Sequence, residues 1–153
     1  VQAVPLLTLD EVAVLPAGHA LAAQAVLQVQ DFANQPFVSL SADDPYRRQI
    51  DARFAEAGVA RQLHLQTHSA VAVCAMVQQG LGLAIVNPLT ALAMAGSGLV
   101  VRRLGFSVPF SINALLPLYR PALPEAQPLL QSLEAQAHEV TAALQRLLNQ
   151  PAN

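Results

Sequence analysis

The sequence predicts an α/β fold with a mostly parallel sheet. Between Pro36 and Leu104, short apolar runs alternate with helical patterns, and each helix follows its strand across a capping residue. Such alternation requires crossover connections, and crossovers bring successive strands into parallel order. After that module the pattern changes. A longer strand leads into a long amphipathic helix whose apolar stripe the module does not need, so a second subdomain is expected.

The elements follow in order. Leu9 to Leu15 reads as a strand, ended by the turn Pro16-Ala-Gly-His19. A short helix is expected over Val29 to Ala33, then a buried strand over Pro36 to Leu40. Asp44-Pro45 opens a helix, because aspartate caps free amides and proline suits the first helical position. Tyr46, Ile50, Phe54 and Ala57 share one face, and Gly58 stops it.

The cycle then repeats. Gln62 to Gln66 alternates as a strand, Thr67-His68-Ser69 caps, and Ala70 to Gln79 forms an apolar helix ended by Gly80. Leu83 to Val86 is another buried strand. Asn87-Pro88 opens a helix to about Ala95, and Gly96-Ser-Gly98 turns into Leu99 to Leu104. Ser111 to Tyr119 reads as a longer strand, and Pro121 and Pro124 frame a turn. From Pro124 to about Leu148, the residues Leu130, Leu133, Ala137, Val140, Leu144 and Leu147 make a stripe of helical period.

Composition narrows the function. Of 153 residues, 54% are hydrophobic and 12% charged, enough apolar material for a sizeable core. The net charge of −2 offers no electrostatic footprint for nucleic acid, whose non-specific affinity comes from neutralising phosphates. All the cations are arginines. The single cysteine, Cys74, excludes an internal disulfide and suits a reducing compartment. It lies mid-helix among apolar residues with no positive charge nearby, so a buried structural thiol is expected. No stretch approaches a membrane span or a secretory leader. The chain starts at Val1 within what reads as a strand, and is expected to be part of a longer polypeptide.

Catalytic constellations are lacking. Gly80-Leu-Gly82 follows a helix instead of a strand and has no third glycine, so it is a helix stop and not a nucleotide loop. His19, His64 and His138 show no metal spacing with one another or with Cys74. Asp43-Asp44 reads as a cap with a neighbour. No enzyme activity and no cofactor are expected.

Two motifs, Val14-Leu-Pro-Ala-Gly-His-Ala-Leu-Ala22 and Val77-Gln-Gln-Gly-Leu-Gly-Leu-Ala-Ile-Val-Asn-Pro-Leu-Thr90, resemble in order and spacing the effector-binding domain of LysR-type transcriptional regulators. Ala20 departs from the proline usual there. The resemblance implies a periplasmic-binding-protein-like fold: two α/β lobes joined by crossing strands, with the ligand between them. Residues 1–23 would be the tail of the first lobe and a crossing strand, 24–112 the complete second lobe, and 113–153 the return strand and C-terminal helix of the first. The opening of the first lobe and an N-terminal helix-turn-helix would lie outside the chain.

It further implies a cytoplasmic, non-enzymatic domain that binds a small-molecule effector and controls DNA binding by the separate N-terminal domain. A homodimer or homotetramer is expected, using the helix from Asp44 to Ala57 against another copy's first lobe. A periplasmic-type solute-binding protein is the alternative. The helix starts would present Ser39, Ser41, Thr67, His68, Ser69, Asn87 and Pro88 to the effector, since helix N-termini at strand carboxyl ends favour anionic groups. His68, in a helix's first turn, would be neutral to avoid opposing the dipole. A carboxylate or amino-acid-related metabolite suits such a site, and segment 39–48 resembles regulators of opine and amino-acid catabolism.

Overall fold

The computed structural model describes residues 1–119 and 123–151. Its strands are β1 (Gln2–Asp10), β2 (Val12–Pro16), β3 (Val26–Leu27), β4 (Pro36–Leu40), β5 (Gln62–Thr67), β6 (Ala84–Val86), β7 (Leu99–Leu104) and β8 (Pro109–Leu116). Its α-helices are α1 (Pro45–Ala57), α2 (Ala70–Gln78), α3 (Pro88–Met94) and α4 (Ala126–Leu148).

One sheet dominates. Strand β2 pairs antiparallel with β6 and β7, β7 pairs parallel with β3, and β4 pairs parallel with β5. A parallel bridge between Phe37 and Leu83 joins β4 to β6, with Val38 donating to the Leu83 carbonyl at 2.8 Å and Leu83 to the Pro36 carbonyl at 2.9 Å. The order is therefore β5-β4-β6-β2-β7-β3. Five strands run one way and β2 alone runs against them, so the sheet is mostly parallel. A separate two-stranded ribbon pairs β1 with β8 antiparallel.

Alternation along the strands builds a core on each face of the sheet. Val12, Val14, Val38, Ala84 and Val86 meet α2 and α3 through Val73, Cys74, Val77 and Ala91. Ala13, Leu15, Phe37, Leu83 and Ile85 meet α1 through Ile50 and Phe54. Phe32, Phe37 and Phe54 pack edge to face at 5.6–6.1 Å between ring centroids. Arg61 lies over Phe54 at 4.0 Å and Phe37 at 4.7 Å, while its guanidinium pairs with Asp51.

The helix starts are built as the residue types dictate. Asp44 accepts from the Tyr46 and Arg47 amides at 2.8 and 3.1 Å, with Pro45 following it, and Gly58 ends α1 in the left-handed region at φ +65°. Ser69 caps α2 and Asn87 caps α3.

Some boundaries differ from expectation. The first strand is broken at Glu11 into β1 and β2, because the two halves join different sheets. The short helix after Leu27 is a 3-10 turn over Val29–Phe32. The strand expected at Ser111 begins at Pro109 and ends at Leu116, where its pairing with β1 stops. On α1, Ala57 is exposed and Arg47 is buried, because Arg47 has partners that draw it inward. Pro121 lies outside the described residues.

Helix α4 packs on β1, β7 and α3. Of its stripe only Leu144 is buried, and Leu133 remains 39% exposed. Leu7, Ile112, Leu133, Ala137 and Val140 line an apolar groove between α4 and the ribbon.

Candidate functional site

All five strands of the parallel set end on one edge of the sheet. Because β2 is antiparallel, it starts there: Val12 stands opposite Val86. Ser41, Thr67, Asn87 and Glu11 therefore leave their strands side by side along that edge, next to the starts of α1 and α2. This is where ligands of open α/β sheets collect.

Four of the residues expected from the sequence meet here. Ser41 Oγ and His68 Nδ1 lie 2.8 Å apart, although the two residues are distant in the chain. The Ser41 amide donates to the Thr67 carbonyl at 3.0 Å, extending the β4–β5 ladder. Thr67 Oγ1 accepts from the Ser69 amide at 3.4 Å, and Ser69 Oγ accepts from the Ala72 amide at 3.3 Å. The Ser41 hydroxyl is also the main influence holding the Asp43 carboxyl below the usual carboxylate range, ahead of the Asp43 backbone amide.

This order differs from a hydrolytic triad, in which the acid orients the imidazole and the imidazole activates the hydroxyl. Here no acid is hydrogen-bonded to the imidazole among the described residues. The arrangement offers polar recognition: two hydroxyls, an imidazole and the amides opening α2.

The other expected residues are placed differently. Ser39 is 3% exposed and shares the α1 side of β4 with Phe37 by alternation. Asn87 uses its side-chain oxygen to accept from the Thr90 amide at 2.8 Å, and Pro88 is buried. Neither Asn87 nor Pro88 has a side-chain hydrogen bond to the Ser41–His68 group among the described residues.

Two further residues belong to this region: Arg47, read from the sequence as a surface charge near enough to a helix start to reach a carboxylate in the cleft, and Glu11, which was not singled out. Arg47 is buried; its Nε donates to both Asp51 oxygens at 2.8–2.9 Å and one terminal nitrogen donates to the Leu40 carbonyl at 2.8 Å, fastening α1 to the end of β4. Glu11 is 1% exposed, and neither carboxyl oxygen has a hydrogen-bond partner among the described residues. Burial first, and then the Asp44 charge, push its carboxyl up to about 8. Its place in the Asp10-Glu11 pair between two apolar runs was the only local signal. Tyr46, in the first turn of α1, packs on Phe110 of β8 at 5.5 Å, so the same region touches the ribbon. Cys74 is fully buried, and burial pushes its thiol up to about 11, which leaves it unreactive at neutral pH.

The fold and this edge of polar helix starts define a ligand-binding α/β domain of the periplasmic-binding-protein type. The model of the LysR substrate binding domain matches residues 1–138, and the chain belongs to that family. It is 46% identical over 144 residues to the transcriptional activator protein LysR of Escherichia coli, covering 94% of this chain and 46% of that protein. It is 27% identical over 117 residues to the regulatory protein NocR of Agrobacterium tumefaciens, covering 76% of this chain and 39% of that protein. The regulatory domain of Synechocystis CcmR, solved with 2-PG, superposes with a TM-score of 0.73 at 17% identity, over 89% of this chain and 66% of that one. The chain thus spans less than half the length of these two sequence relatives. No described helix is long and apolar enough to cross a membrane.

Proposed function

We propose that this domain is the effector-binding and oligomerisation part of a cytoplasmic LysR-type transcriptional regulator, without enzyme activity or cofactor, and that it controls DNA binding by a separate N-terminal helix-turn-helix. The observation that carries the effector reading is the Ser41–His68 pair at the start of α2, which gathers hydroxyl, imidazole and backbone donors at a strand-end edge of the sheet. In this reading residues 24–112 form the second lobe, residues 1–23 and 113–153 belong to the first lobe and its crossing strands, and Ser39, Ser41, Thr67, His68, Ser69, Asn87 and Pro88 serve the effector. The partly exposed stripe of α4 and the apolar groove beside it supply a surface on which the rest of the first lobe packs. Self-association is expected through α1 against the first lobe of another copy, giving a homodimer or homotetramer.

The effector suited to these donors is a carboxylate or an amino-acid-related metabolite. His68→Ala should leave thermal stability unchanged, because His68 is exposed and lies outside both cores. It should weaken effector binding by about 1–3 kcal/mol, as a polar ligand group loses its partner. A calorimetric titration of the full-length regulator checks this; equal affinities for both proteins would place the effector elsewhere.

The domain by itself should not retard duplex DNA at roughly 150 mM salt, because its net charge of −2 neutralises no phosphates. A mobility shift that persists at that salt would show that it contributes to the DNA contact directly.

A further inference from the structure

Glu11 is the most deeply buried acidic or basic side chain among the described residues, and both its oxygens lack partners there. It occupies the passage from β1 to β2, where its amide donates to the Val108 carbonyl at 2.9 Å, so the two crossing segments meet at this residue. It lies one residue beyond Val12, on the sheet edge from which Ser41, Thr67 and Asn87 also emerge. Alternation along β2 sets Glu11 on the same side as Ala13 and Leu15, the side of α1. The charge that bears on it there is Asp44, a second carboxylate.

The neighbouring charged groups are already committed. Arg47 is held by Asp51 and the Leu40 carbonyl, and Arg48 donates to the Asp43 carbonyl at 2.7 Å. Asp10 accepts from the Ser107 hydroxyl at 2.7 Å. Among the described residues no ion pair joins Glu11 or Asp44 to a cation. Burying a carboxyl with neither hydrogen bond nor counter-charge is unfavourable, and such a group calls for a functional account. A ligand carboxylate brought against it would add negative charge; a ligand cation would compensate it.

We propose that Glu11 is a specificity-determining residue of the cleft and pairs with a protonated amine of the effector, with Asp44 reinforcing the attraction. This rests on the effector-binding reading above and narrows it: the amine goes to Glu11, while a carboxylate or hydroxyl of the same molecule addresses the Ser41–His68 group. Because Glu11 holds its proton in the unliganded domain, the arriving ammonium displaces that proton to solvent. Because Glu11 is covered, the effector reaches it only as the crossing segments shift, which couples occupancy to the angle between the lobes.

The test uses the full-length protein with a library of amines, amino acids bearing one or two amines, and their deaminated carboxylates, read by thermal shift. The best probe is then titrated calorimetrically at pH 7 in phosphate and in HEPES, which carries no primary amine and whose ionisation heat differs from that of phosphate. Stabilisation should be confined to amine-bearing probes. Glu11→Gln should lower affinity at least tenfold and abolish the buffer dependence that reports proton release, whereas Glu11→Asp should keep the preference for amines. If a deaminated acid binds as well as its amino acid, or if Glu11→Gln binds the best probe unchanged, the role of Glu11 is refuted and the effector reading stands. If no probe stabilises the wild-type protein, the effector reading itself fails and the role of Glu11 with it.

Discussion

Gly82→Ala is expected to destabilise the protein by about 3 kcal/mol, because it combines backbone strain with a clash against main chain. Gly82 has φ +151°, and a Cβ placed there would stand 2.7 Å from the Pro36 carbonyl oxygen and 2.9 Å from its carbon. Those atoms cannot swing aside as a side chain would. The Pro36 carbonyl accepts from the Leu83 amide in the short ladder that joins β4 to β6. Relief of the clash would therefore open the seam between the β4–β5 pair and the rest of the sheet. A fall in Tm of roughly 6–12 °C is expected for a chain of this size. Gly80→Ala is the matched comparison: Gly80 has φ +76° but open space around it, so only conformational strain of about 1 kcal/mol applies. Equal losses for the two variants would show that the close approach at Gly82 is relaxed without effect on the seam.

The elements from Pro36 to Leu104 were legible because each carries local punctuation. Asp44-Pro45, Ser69 and Asn87-Pro88 start helices, and Gly58 and Gly80 stop them, all through interactions a few residues long. What the sequence did not disclose depends on partners distant in the chain. The antiparallel insertion of β2 between β6 and β7 is one case, since Val12 to Leu15 reads as a buried strand whatever its direction. Arg47 is a case of a different kind: a charged residue on an amphipathic helix is ordinarily read as solvated, and its local partners, Asp51 and the Leu40 carbonyl, explain its burial. At the site, capping chemistry pointed to Thr67, His68 and Ser69 and to Ser41 separately. Their meeting follows from the parallel pairing of β4 with β5, which brings the two strand ends level. Glu11 shows the limit most clearly. An Asp-Glu pair between apolar runs looks like a strand break, and the burial of its second acid follows from the crossing geometry.

The ionisation of Glu11 should dominate the dependence of stability on pH. Its carboxyl keeps its proton to about pH 8 in the folded chain, against 4.5 for the ordinary value. Between those limits the folded state binds the extra proton, so stability falls as pH rises. The contribution is fully present below about pH 4.5 and is lost by about pH 8. At about 1.4 kcal/mol per pH unit, the window corresponds to a ceiling on the order of 4–5 kcal/mol, reduced by whatever water the opening segment admits. Glu11→Gln removes the titration while keeping the shape. The difference in stability between variant and wild type should be small at pH 4.5, where both carry a neutral group. It should grow in favour of the variant to several kcal/mol at pH 8. Asp44, Asp10 and Arg47 are common to both proteins, so their own titrations cancel to first order in that difference. Urea denaturation of both proteins at pH 4.5, 6, 7 and 8 measures it. Parallel pH profiles would mean that Glu11 is already ionised in the fold, with water or a cation satisfying it.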